Sequence, residues 1–207
     1  MACFKKDIIF GTGRASIVGR GMISGIKQRW VCCSYEQGSQ VIDVDTLIGV
    51  SVTDRGAFGI TGGHYIEDVA MLGAWHWNND GPDYLDYCTI QNCFLLANDD
   101  NLKLNNNTHA KHIVIWQLQN GHPIMVKEMR NNVTFSNCVV EDIDILAYYS
   151  AFGSDKFQNF CNAAIACVNS RNIQVNNFLF RNIRIESPYL YRVFDFYNMD
   201  SNQPYVP

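Results

Sequence analysis

The chain has 207 residues, 47% hydrophobic, 13% aromatic and 17% charged, enough for one sizeable core and too few for two ordinary domains. With 16 Lys+Arg against 20 Asp+Glu the formal net charge is −4, and no basic run marks a nucleic-acid or anionic-membrane partner. No stretch approaches the roughly 18 apolar residues of a bilayer span, and a neutral partner suits this charge balance.

Reading from the start, Lys5 and Lys6 are followed by Asp7 and only three apolar residues, which is not a signal peptide. Residues 3–10 are expected to form a short cap strand. From there short strand-like phrases recur: Val50-Ser-Val52-Thr, Val69-Ala-Met71-Leu, Cys88-Thr-Ile90-Gln, Ile113-Val-Ile115-Trp, Val133-Thr-Phe135-Ser and Ile173-Gln-Val175-Asn. Their intervals are 19, 19, 25, 20 and 40 residues, the last read as two periods. Inside each phrase apolar residues alternate with others, as a strand with one buried face requires. A second apolar group often follows, as in Cys138-Val-Val140 and Phe178-Leu-Phe180.

Two or three short strands per period of about 20 residues predict an all-β fold, a right-handed single-stranded parallel β-helix of the pectin-lyase-like kind. Neither a leucine-rich pattern nor long 3.6-residue periodicity is present. One domain over 1–207 is expected, with coils over about 16–187, an irregular loop over about 142–162 and a C-terminal extension over 188–207. Asparagine is absent before Asn78 and then falls at strand–turn junctions, among them Asn98, Asn107, Asn132, Asn172 and Asn177. Asn tolerates left-handed backbone, so these residues suit corner ladders, with sugar binding as the other reading. The eight cysteines form no Cys-x-x-Cys pair, which gives a metal site poor support. Cys88 and Cys138 sit in apolar strand patterns and read as buried thiols, with disulfides as the alternative. Two sequons begin at Asn106 and Asn132.

Two segments carry chemistry. The first runs Trp75-His-Trp77-Asn-Asn-Asp80-Gly-Pro-Asp83 and the second Ala97-Asn-Asp99-Asp100-Asn-Leu-Lys103. Asp80 and Asp99 are 19 residues apart, one period, so neighbouring coils about 4.8 Å apart bring three carboxylates onto one patch. Like charges that close resist joint ionisation, which raises at least one pKa. Glycoside hydrolysis needs such a pair of functions: a protonated acid for the leaving group and a carboxylate for water or the anomeric carbon. Taken singly, each Asp also fits a solvated turn; their spacing by one period favours the site. Trp75, Trp77 and Trp116 read equally as sugar-stacking platforms or core residues. His76, His109 and His112 lack a ligand pattern and read as surface or turn residues.

Trp75 with Asn79-Asp80-Gly81-Pro82, then Asn98-Asp99-Asp100 with Lys103, resembles glycoside hydrolase family 49, the dextranases and isopullulanase. Gly19-Arg-Gly21-Met-Ile-Ser24-Gly25 resembles a coil of that family, and Ile115-Trp116-Gln117 with Asn120-Gly121 and Pro123-Ile124 fits the stretch after its acidic pair. The resemblance covers roughly residues 16–146. It implies an extracellular, monomeric enzyme acting on a polysaccharide, chiefly α-1,6-linked glucan, with inversion and without metal or cofactor. Asp99 would be the general acid, and Asp80 and Asp100 would hold and activate water, with carboxylate separations of about 6.5–9.5 Å. Lys103 would contact substrate or tune Asp99, with a solvated strand end as its other reading; Asn98, Trp75, Trp116 and His122 are the further candidate substrate contacts. Relative to the family, the sequence as read is expected to lack the N-terminal β-sandwich and the first coils. Gly121-His122 is also similar to an element of family 28 polygalacturonases, but Pro123 stands in place of their second glycine and residues 125–130 lack their Arg-Ile-Lys element. A pectin hydrolase is thus one alternative, and a non-catalytic polysaccharide-binding solenoid another.

Overall fold

The computed structural model describes residues 2–3, 8–9, 15–24, 42–53, 60–61, 64–74, 80–83, 85–118, 121–126, 131–146, 163–170, 172–186 and 192–198. Among them there is no helix, and every strand pairing is parallel. In chain order the first strands are β1 (Ala2–Cys3), β2 (Ile8–Ile9), β3 (Ser16–Val18), β4 (Met22–Ser24), β5 (Ile42–Asp43), β6 (Thr46–Ile48), β7 (Ser51–Thr53), β8 (Ile60–Thr61), β9 (Tyr65–Glu67) and β10 (Ala70–Ala74). They are followed by β11 (Pro82–Asp83), β12 (Thr89–Ala97), β13 (Leu102–Leu104), β14 (His109–Gln117), β15 (Ile124–Val126), β16 (Thr134–Leu146), β17 (Ala163–Ser170), β18 (Gln174–Glu186) and β19 (Arg192–Asn198).

The large sheet runs β1-β4-β7-β10-β12-β14-β16-β18, with β3, β6 and β9 paired alongside and β9 joined to β12. Two four-stranded sheets, β11-β8-β5-β2 and β13-β15-β17-β19, supply the remaining surface. Strand neighbours are thus separated by a turn's worth of chain, the arrangement a β-helix needs. The alternation read in the sequence becomes columns of inward side chains. Leu47, Ile66, Ile90, Ala110, Val140 and Phe180 lie in register on successive strands. So do Ile23, Val52, Met71, Leu95, Ile115, Ile145 and Ile185. Apart from the partly buried Phe180 and Ile185 these side chains are buried, and each buried Leu or Ile stabilises the stack by about 1.5–3 kcal/mol.

Strand pleat alone would carry the chain straight on, so each corner needs a residue of opposite backbone hand. Asp68, Asn92, His112, Asp142 and Asn182 supply one column of positive φ, between 52° and 55°. Tyr87, Asn107, Asn137 and Asn177 supply a second, and Asn132 and Asn172 a third. The asparagines bond rung to rung: Asn137 Nδ2 donates to Asn107 Oδ1 at 3.2 Å, and Asn177 Nδ2 to Asn137 Oδ1 at 2.8 Å. For these residues the corner-ladder reading describes their contacts.

Three boundaries differ from the sequence expectation. Thr134 pairs with Gln174, 40 positions on, so that interval is one enlarged coil and not two. Strand β16 continues through Asp142 to Leu146, because the bend at Asp142 keeps Ile143 and Ile145 in the buried column. Strand β19, within 188–207, pairs with β17. The remainder of the expected loop, residues 147–162, lies outside the described residues. Cys88, Cys93, Cys138 and Cys167 are buried free thiols, and burial pushes Cys88, Cys93 and Cys167 up to about 12, which keeps them protonated. No helix of the described residues is long and apolar enough to cross a membrane.

Candidate active site

Three consecutive coils meet at one corner. Gly81 N–H donates to Asp100 O at 2.8 Å, and Asn101 N–H donates to His122 O at 3.0 Å. Those two backbone bonds align the segment before β11, the turn between β12 and β13, and the segment before β15. Close approach there depends on glycine. A Cβ on Gly81 would strike the Asn101 carbonyl, and one on Gly121 (φ +65°) would strike the Asp100 amide and Asp99 Oδ1.

This corner brings Asp80, Asp99 and Asp100 together, one carboxylate oxygen of each lying within 4.8 Å of the others. Asp80 and Asp100 are buried, while Asp99 is half-buried. Lys103, on β13, points its ammonium into the cluster, 3.0 Å from Asp80 Oδ2 and 3.4 Å from Asp100 Oδ2. Asp100 Oδ1 accepts the His122 main-chain N–H at 2.8 Å, so both of its oxygens face donors. Asp99 Oδ1 accepts from the Asp100 amide at 3.0 Å. Asp80 Oδ1 is buried and has no hydrogen-bond partner among the described residues.

These surroundings separate the two buried carboxyls. Burial, reinforced by the charges of Asp99 and Asp100, pushes Asp80 well above the ordinary carboxylate value, and Lys103 opposes this only in part. Burial also opposes ionisation of Asp100, but contacts with His122 and Lys103 outweigh it and hold that carboxyl below the ordinary value. One acid that keeps its proton beside one that readily loses it is the arrangement acid–base chemistry uses. The same oxygens are a donor set for a hard cation, although Lys103 already brings positive charge to two of the three carboxylates.

The other sequence candidates are distributed unevenly. Lys103 is buried against the carboxylates and so is placed to tune them. His122 is 2% exposed, its Nδ1 lies 3.5 Å from Asp100 Oδ1, and neither ring nitrogen has a hydrogen-bond partner among the described residues. Asn98 is buried in the acidic turn. Trp116 is 41% exposed on the outer face of the large sheet, in register with Leu96 and Leu146, three residues of β12 short of Asp99. Trp75 lies outside the described residues.

Two buried residues of the corner were not among the candidate site residues read from the sequence. Asn101 and Gln117 are both fully buried and joined by a 2.7 Å hydrogen bond. A signal for Gln117 existed: it follows Ala110, Ile113 and Ile115 on the inward side of β14, where an amide breaks the apolar pattern.

No family model matches the chain. Over 57 residues it is 33% identical to a dextranase of Arthrobacter globiformis and 35% identical to a dextranase of Arthrobacter sp. strain CB-8. The matched stretch is 27% of this chain and 9% of the length of each of those enzymes.

Proposed function

We propose that this chain is the catalytic part of a dextranase-like glycoside hydrolase, built as a right-handed parallel β-helix. The observation that carries the reading is the corner itself: three carboxylates within 4.8 Å of one another, two of them buried and pushed to opposite sides of the ordinary range. The partial similarity to two dextranases supports the choice of chemistry. The substrate is a neutral polysaccharide, an α-1,6-linked glucan, met outside the cell by a monomer.

Asp99, the half-buried member, donates the proton to the leaving glycosidic oxygen. Asp100, the carboxyl held below the ordinary value, takes the proton of the attacking water, and Asp80, the one pushed above it, helps hold that water, with Lys103 beside both. Trp116 offers an aromatic face to a pyranose ring along the outer sheet. The nearest carboxylate oxygens are closer than the roughly 6.5–9.5 Å between the carboxyls of inverting pairs, so the anomeric form of the first product is a demanding check on inversion.

The experiment is reducing-sugar release from dextran, pullulan and polygalacturonate by the wild type and by Asp99→Asn. Release from dextran is expected, lost by a factor of about 10²–10⁴ in the variant. Release from polygalacturonate alone would move the chain to pectin hydrolysis. Binding of dextran by a folded protein without release would make it a carbohydrate-binding solenoid.

A further inference from the structure

The acidic turn is held from the inside. Gln117 Nε2 stands 3.0 Å from the Asp99 carbonyl oxygen and 3.3 Å from that of Asn98. Its Oε1 accepts Asn101 Nδ2 at 2.7 Å, and the same Asn101 nitrogen lies 3.5 Å from Ala97 O. Three successive carbonyls, of residues 97 to 99, therefore face amide donors of two fully buried side chains. The stack does not demand an amide here. Gln117 pairs in register with Ala97, which fills the equivalent place one coil earlier with a methyl group. A buried amide disfavours folding unless its hydrogen bonds are made, and these bonds go to the main chain that carries Asp99 and Asp100.

We propose that Gln117 is the positioning residue of the acidic turn, drawing the Asn98 and Asp99 carbonyls inward from the following coil so that the Asp99 carboxylate stays beside Asp80 and Asp100. It touches no reacting atom. It fixes the backbone from which the half-buried carboxylate projects, and a shift of about 1 Å in such a group costs about 10²-fold in rate. Its effect on rate rests on the hydrolase reading, whereas its effect on the Asp99 carboxyl does not.

The test uses the full chain with two substitutions of similar size. Gln117→Met removes the donor and the acceptor at every pH. Gln117→Glu keeps the acceptor for Asn101; ionised, it turns a carboxylate toward two carbonyls, and protonated, its O–H restores one donor. On dextran, Gln117→Met is expected to lose about 10²-fold in kcat with KM changed less than about threefold. Gln117→Glu is expected to show a deficit that shrinks as the pH falls. A merely structural amide would lower thermal stability in both variants while leaving kcat of the folded fraction and its pH profile at wild-type values, and that result overturns the proposal. Failure of both variants to fold also overturns it, since Ala97 serves the equivalent position without an amide. If the wild type hydrolyses no glucan, the functional reading falls and a carboxyl ¹³C NMR titration decides the matter. The Asp99 midpoint is then expected to move by about half a pH unit or more in Gln117→Met, and an unmoved midpoint overturns the positioning role.

Discussion

Two sets of ion pairs on this stack join a basic side chain to carboxylates, yet they have different fates. On the outer face, Glu141 stands opposite Arg181 and Asp144 opposite Arg184 in the β16–β18 register. At the corner, Lys103 meets Asp80 and Asp100 with side chains only 2–4% exposed. The arginines outside are 58% and 55% exposed. Glu141 is itself buried and Asp144 half-buried, but the guanidinium partners stand in water: hydrogen bonds from His109 and then Arg181 hold Glu141 below the usual range, and Arg184 does the same for Asp144. Inside, one carboxyl is pushed up and its neighbour down. Register brings opposite charges together anywhere on a stacked sheet; exclusion of water decides whether the pair is a solvated rung or a centre whose protonation is unequal.

The strongest way to break that comparison is Lys103→Met. Removing one partner of a buried pair leaves uncompensated charge, which costs about 3–5 kcal/mol. Urea unfolding at neutral pH is expected to show a loss of that size, smaller at acid pH where the carboxyls take up protons. An unchanged midpoint would mean that the corner is hydrated and its ammonium as dispensable as a surface one.

How much of this was readable in the residues follows the same division. The buried columns were legible because alternation at Val50, Val69 and Cys88 repeats at a nearly constant interval, and a strand has only two faces. The acidic turn was legible because Asp80 and Asp99 are one period apart. The 40-residue coil was not, because an enlarged coil and two ordinary ones leave the same interval between Val133 and Ile173. The corner glycines and Gln117 escaped for another reason. Their meaning lies in which main-chain atoms approach from the next coil, and periodicity fixes that a residue points inward without fixing what it meets. The burial of Lys103 was hidden likewise, since a lysine three residues after an Asp reads as a strand-end charge until the neighbouring coil closes over it.

A smaller effect sharpens the inner side of the comparison. Asp80 has a folded-state pKa above its ordinary value of 3.8, so its contribution to stability is fully present below that ordinary value and lost as pH rises through the elevated one. Asp100, held below the ordinary value, contributes in the opposite sense: its share is present above 3.8 and lost as pH falls. Asp80→Asn removes only the first component, while its amide oxygen still accepts from Lys103. Relative to wild type, the variant is expected to be less stable in acid and to gain steadily toward neutral pH, by about 1.4 kcal/mol per unit across the Asp80 ionisation. Urea midpoints between pH 3 and 8 are the measurement, with a constant difference between the two proteins as the contrary outcome.

The smallest expected effect lies on the outer face and completes the contrast. Arg184→Ala deletes an ion pair whose cation is more than half in water, and such pairs give little net stability because side-chain ordering and solvent screening offset the attraction. Thermal unfolding of the variant is expected to match wild type within error, at low and at high salt. The substitution still leaves a local trace. Asp144 is held below its ordinary value chiefly by the Arg184 hydrogen bond, so its carboxyl ¹³C midpoint is expected to rise toward 3.8 when the guanidinium is gone. A moved midpoint with unmoved stability separates the outer rung from the corner: the same pairing shifts a proton in both places, and only in the dry one does the fold depend on it. A large loss of stability in Arg184→Ala would remove burial as the deciding difference.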